Sequence, residues 1–127
     1  MLIRKTLSIL GLMIAFAAFN EPVQIPRKTL LAGSYWIQLL RNVGNTGIVQ
    51  ILNEKHEFIA TLFTVPRERR EATGQSAFVL ANEGEGKVEA IVAWFYPGRT
   101  NGHEFVYPKP KRQELARGKT QTVVAGN

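Results

Sequence analysis

The chain has 127 residues, no cysteine and a formal charge of +6, a size that suits one domain with one core. The absence of cysteine excludes a disulfide framework, a thiolate metal site, a thiol nucleophile and a lipid-modified N-terminal cysteine together. The charge does not announce a nucleic-acid binder: from Ala18 to Tyr107 nine basic residues meet nine glutamates, and the surplus lies at the two ends.

At the N-terminus, Arg4 and Lys5 precede an uncharged run from Thr6 to Phe19 that is rich in Leu, Ile, Met and Phe. The run is shorter than the roughly 20 apolar residues a helix needs to cross a bilayer. Ala15-Phe16-Ala17 supplies small residues in the spacing a signal peptidase reads. These features predict a helical signal peptide over residues 1–17, removed after Ala17, and a mature chain exported to the periplasm or the exterior with no transmembrane span. Residues 18–29, with Pro22 and Pro26, read as an extended lead-in.

The β-domain is expected over residues 30–108. Ser34 to Arg41 alternates Tyr35, Ile37 and Leu39 with Trp36, Gln38 and Leu40, the period of a strand. NVGNTG turns the chain into Ile48 to Leu52, a polar turn follows, and Glu57 to Val65 returns as a long strand ended by Pro66. After the mixed-charge loop PRERREATG comes a short β-like run, Gln75 to Ala81, and then a glycine-rich turn. Lys87 to Tyr107 carries the strongest signal: β-branched and aromatic residues from Val88 to Tyr96, a break at Pro97-Gly98, and a second strand from Glu104 to Tyr107. About six or seven strands at this spacing predict an all-β single domain, a β-sandwich (Ig-like or jelly-roll-like) or a small barrel. Residues 109–127 hold Lys109, Lys111, Arg112, Arg117 and Lys119 against Glu114 alone, and read as a flexible basic tail able to tether the protein to an anionic envelope surface.

The segments AGSYWIQL, EFIATLFTVPRER and AWFYPGRTNGHEFVYPK resemble those of a group of small exported bacterial β-domains with AWFYPG and EFVYPK signatures. The resemblance spans roughly Leu30 to Lys109. It implies export and a single β-domain, and it carries over no catalytic or binding residue.

Catalytic patterns are sparse. Ser34 lacks the glycine spacing of a nucleophile elbow, and a triad of Ser76, His103 and Glu104 is conceivable but is not selected by anything in the sequence. His103-Glu104 begins like HExxH, but Tyr107 stands where the second histidine belongs and the segment reads as strand. No cofactor or metal is therefore expected. Two candidate sites remain beside the tail: an aromatic platform of Trp36, Trp94, Tyr96 and Tyr107 for sugar rings or a partner protein, and a loop site of Arg99, His103 and Glu104. The residues favour a non-catalytic binding or structural module of the cell envelope, with an envelope glycan or protein as partner and no nucleic acid. The alternatives are an assembly subunit, self-associating through an edge strand or through Val23 to Leu31, and a small hydrolase.

Overall fold

The computed structural model describes residues 14–124 and places ten strands and one helix in them. The strands are β1 (Ile14–Phe19), β2 (Val23–Ile25), β3 (Lys28–Leu30), β4 (Gly33–Val43), β5 (Thr46–Asn53), β6 (Phe58–Glu68), β7 (Ala77–Asn82), β8 (Glu89–Phe95), β9 (Asn101–Phe105) and β10 (Lys119–Val124); helix α1 is Lys109–Arg117. All ten strands belong to one open sheet, in the order β1-β4-β5-β6-β9-β8, with β2-β3 and β7-β10 both attached to β8. The all-β expectation holds, but neither the sandwich nor the small barrel is supported by this pairing, because a sandwich needs two separately hydrogen-bonded sheets facing one another and a barrel needs a ladder between the end strands.

The long strands follow the alternation of their side chains. Tyr35 and Ile37 of β4, Val49 and Ile51 of β5, and Leu62 of β6 all point to the buried face. Trp36, Gln38 and Gln50 point outward, and Gln38 Nε2 donates to Gln50 Oε1 across the strands at 3.0 Å. β8 is buried along nearly its whole length because strands flank it on both edges. β7 runs along one edge, while the other is divided between β9, which pairs at Ala93 to Phe95, and β2, which meets Glu89 and Ala90 in parallel. The two strands expected within Lys87 to Tyr107 pair as the β8–β9 ladder, the second lying earlier than expected, with Gly102 to Glu104 opposite Phe95 to Ala93.

The sheet curls until its two ends share a core. Phe19 of β1 meets Phe78 of β7 edge-on at 6.3 Å, Phe78 stacks on Trp94 at 6.3 Å with planes 9° apart, and Trp94 meets Tyr96 edge-on at 4.9 Å. β1 and β10 share no ladder, so the seam between them stays open.

Three sequence expectations are corrected at the chain ends. The predicted signal-peptide helix partly coincides with β1, which pairs with β4 from Ile14↔Gln38 to Phe19↔Gly33 and crosses the expected cleavage point; residues 1–13 of the leader lie outside the described residues. The lead-in contains β1's end and the β2–β3 hairpin, whose Pro26-Arg27 turn sets Arg27 at φ 66°; strands of three residues are too short to show a period. The tail expected to be flexible folds through residue 124. Leu115 is the buried residue of α1, Lys111 Nζ bonds Glu83, and β10 pairs with β7 from Lys119↔Asn82 to Val124↔Ala77.

Ending the chain at Pro108 would therefore bare the β7 edge, whose Ala77 to Ala81 are all buried, and remove Leu115 from the core. Loss of one buried leucine alone costs about 2–5 kcal/mol. Such a truncation is expected to lower the melting temperature by about 10 °C or more. An unchanged thermal transition by circular dichroism would show that α1 and β10 are dispensable.

Candidate functional site

Among the core side chains of the described residues stand two buried polar ones, Thr64 and His103. Thr64 lies in phase with Leu62 on β6 and is fully buried. Its hydroxyl donates to the Gly47 carbonyl of β5 at 3.1 Å, and its oxygen lies 3.1 Å from Nδ1 of His103 on β9. On the far side of the ring, Nε2 of His103 meets the Tyr96 hydroxyl.

One proton arrangement satisfies all four groups. The single Thr64 proton is used on Gly47, so its oxygen accepts from His103 Nδ1–H, and Nε2 then accepts from the Tyr96 O–H. His103 is neutral in this arrangement, and burial holds its pKa below the usual 6.5 for the same reason: a charged imidazolium would be desolvated. Burial pushes Tyr96 up to about 12, and the Arg99 guanidinium opposes that rise. Gly47 is required by the packing, since a β-carbon there would stand 2.5 Å from Thr64 Oγ1 and 3.0 Å from His103 Nδ1.

Tyr96 and His103 form one wall of a cleft of about 340 Å³ at the end of the sheet. Its other walls come from the end of β4 with Asn42, the β4–β5 turn with Asn45, the end of β6 with Glu68, the β8–β9 loop with Arg99, and the start of β9 with Asn101. Arg69 holds that loop in place. Its Nε donates to the Arg99 carbonyl at 2.9 Å and its Nη2 to the Tyr96 carbonyl at 3.1 Å, while the guanidinium lies 4.7 Å over the Phe95 ring. The Gly98 N–H donates to Thr73 O at 2.7 Å, in a backbone conformation, φ 73°, that favours glycine. Arg99 is left exposed at the rim, and among the described residues no carboxylate lies within 4.0 Å of it.

The structure divides the two predicted sites. Arg99 and His103 share the cleft, but Glu104 points to the other face of β9, where it pairs with Arg67 at 3.5 Å. The triad of Ser76, His103 and Glu104 is not assembled, because both imidazole nitrogens face Thr64 and Tyr96. The aromatic platform is corrected too. Trp94 (0% exposed), Tyr96 (7%) and Tyr107 (2%) are core residues, so no ligand can lie across their faces. The Tyr107 hydroxyl lies 2.6 Å from the Ile91 carbonyl, to which it donates, and burial raises its pKa. Only Trp36 is turned outward; it is half-buried, packed 4.6 Å from Phe16 and stacked on His56 at 5.1 Å.

The basic side chains of the tail are spread over α1 and the start of β10. Lys111 is tied to Glu83, whereas Lys109, Arg112, Arg117 and Lys119 remain exposed. No group of three or more metal-ligating side chains occurs among the described residues. No family model, curated protein or solved structure matches the chain.

Sequence reasoning missed Thr64, Gly47 and the asparagines of the cleft. Thr64 did leave a signal, a polar residue in phase with Ala60 and Leu62 on the inward side of a strand. Gly47 left a second, a glycine inside a strand where backbone and side chain approach closely.

Replacing Thr64 by Val keeps the shape and strands His103 Nδ1–H and the Gly47 carbonyl. The expected loss is about 1–3 kcal/mol in urea unfolding, with Thr64→Ser recovering most of it; equal stability of the Val variant and the wild type would refute the hydrogen-bond chain. A second expectation concerns pH. The unfolded imidazole binds a proton near 6.5 and the folded one only lower, so stability is full above about 6.5 and declines as pH falls below it. Tyr96 acts at the other limit: stability present below pH 10.0 is lost as pH rises from there towards about 12. Melting temperature measured across pH should show both limbs, and His103→Gln should flatten the acidic one.

Proposed function

We propose that the chain is exported, loses its leader after Ala17, and serves in the cell envelope as a non-catalytic module that binds an anionic glycan at the Arg99 cleft. The observation that carries this reading is the division of labour in the cleft. Its histidine is consumed internally at both nitrogens, while its rim presents a guanidinium without a carboxylate partner. A site built to move protons would leave one imidazole nitrogen within reach of a substrate; a site built to hold a ligand needs no such opening.

The amides of Asn42, Asn45 and Asn101 each offer a donor pair and an acceptor, the combination that matches neighbouring sugar hydroxyls. Arg99 supplies a planar fork for a carboxylate. Residues from strand ends and from the loops between them line the cleft, and Arg69 braces the loop that carries Arg99, so the donors are held in place before a ligand arrives. Export is supported by the order of residues in the leader: Arg4 and Lys5, then the uncharged run, then Ala15-Phe16-Ala17.

The test is a pull-down of the exported protein on immobilised envelope glycans, with and without carboxylated sugars. Arg99→Ala is expected to weaken retention about ten-fold or more, the scale of one charge-assisted hydrogen bond. Arg112→Ala, on the exposed side of α1, should leave retention unchanged. Equal loss in both variants would point to diffuse electrostatics, and no retention of the wild type would reject the glycan.

A further inference from the structure

β1 is the strand at one end of the sheet, and it is also where the leader is expected to end. Its first four residues, Ile14 to Ala17, pair with Gln38, Ile37, Trp36 and Tyr35 of β4. Ala15 and Ala17 face the core at 4% and 2% exposure, beside the fully buried Ile37. Phe16 faces outward and covers Trp36, their ring centres 4.6 Å apart. Resting on the reading that the leader is removed after Ala17, we propose that processing vacates this strand position on β4, and that the position is the docking site for an extended, uncharged polypeptide strand from a partner chain.

The departing segment itself defines what fits. An unpaired β4 edge offers a row of backbone donors and acceptors to any extended chain. Of the two inward positions, that of Ala15 is packed into the core at 4% exposure and suits a small side chain, whereas that of Ala17 borders a cavity. The outward position beside Trp36 takes an aromatic ring. Neither Ile14 to Asn20 nor Ser34 to Leu40 contains a charge, so a strand carrying charges along this edge would leave them without partners.

Two further features shape the groove. Ala18 and Phe19 stay with the mature chain, and Phe19 is anchored 6.4 Å from Tyr35 and 6.3 Å from Phe78, which closes the groove at one end. Alongside lies a cavity of about 280 Å³ between β1 and β10, with core residues Val23, Phe78 and Leu80 among its walls. Emptying the β1 position joins that cavity to the edge of β4. The other free edges carry charged residues that discourage pairing, Lys28 after Pro26 on β3 and Lys119 on β10.

The test begins with the intact mass of protein recovered from an exporting host, which fixes its first residue. A fluorescent synthetic peptide of the Leu10–Ala17 sequence followed by two lysines is then titrated into it. The expected result is a mass starting at Ala18 and saturable binding. Replacing the alanine equivalent to Ala15 in the peptide by Trp should weaken binding about ten-fold or more, as overpacking of a closed position requires. Full-length chain made without export, with β1 in place, should also bind at least about ten-fold more weakly. A folded chain beginning at Ala18 that ignores the peptide, or accepts the Trp variant equally, overturns the inference and leaves the glycan reading standing. A concentration-dependent dimer that the peptide does not dissociate assigns the edge to a second copy and overturns it as well. Retention of residues 1–17 overturns the processing step and this inference together.

Discussion

The architecture depends on β8, the strand on which three neighbours converge. The stretch of β8 that pairs along β7, Ala90 to Phe95, is apolar throughout and has a single half-buried position, Val92. Trp94, near its end, is wholly buried between the stacked Phe78 and the edge of Tyr96. This aromatic column links the β7–β10 part of the sheet to the cleft, so core packing and the candidate site share the same rings. Gly102 shows how tight the junction is. A β-carbon there would collide with the Trp94 carbonyl and lie 2.5 Å from Phe95 Cδ1, which is why glycine stands opposite the end of β8.

The parts of the fold legible in the sequence are those in which a period repeats often enough to be counted. β4, β5, β6, β7 and β8 were expected close to where they lie, because alternation and turn residues agree along them, whereas β9 begins three residues before its expected start at Glu104 and ends at Phe105. Whether strands form one curled sheet or two stacked ones depends on which edges pair, and edges leave no mark in the pattern of side chains. The helix and last strand were invisible for another reason. α1 is held by Leu115 and the Lys111–Glu83 contact, so a segment with hardly any apolar residues reads as solvated even though it folds.

The candidate site was legible in halves. Arg99 and His103 were picked out for their chemistry, and they do share a cleft; Glu104 was included because it follows His103, but successive strand residues face opposite ways. Trp94 and Tyr96 share one face of a strand, and with Tyr107 they were a candidate platform only if that face stayed open; the curled sheet covers it, and all three rings are in the core. The residues that organise the cleft, Thr64 and Gly47, are small and common types. Their importance comes from contacts made across strands distant in sequence.

The chain of hydrogen bonds from Tyr96 through His103 and Thr64 to Gly47 runs in one sense, and it starts and ends on residues that line the cleft. The phenol thus commits its hydrogen to His103 and keeps only lone pairs for any further partner. Arg99 at the rim has donors alone, so on the glycan reading a sugar hydroxyl or an amide N–H would be met by Tyr96 and a carboxylate by Arg99. That difference in polarity along the cleft is set by the buried face of the sheet.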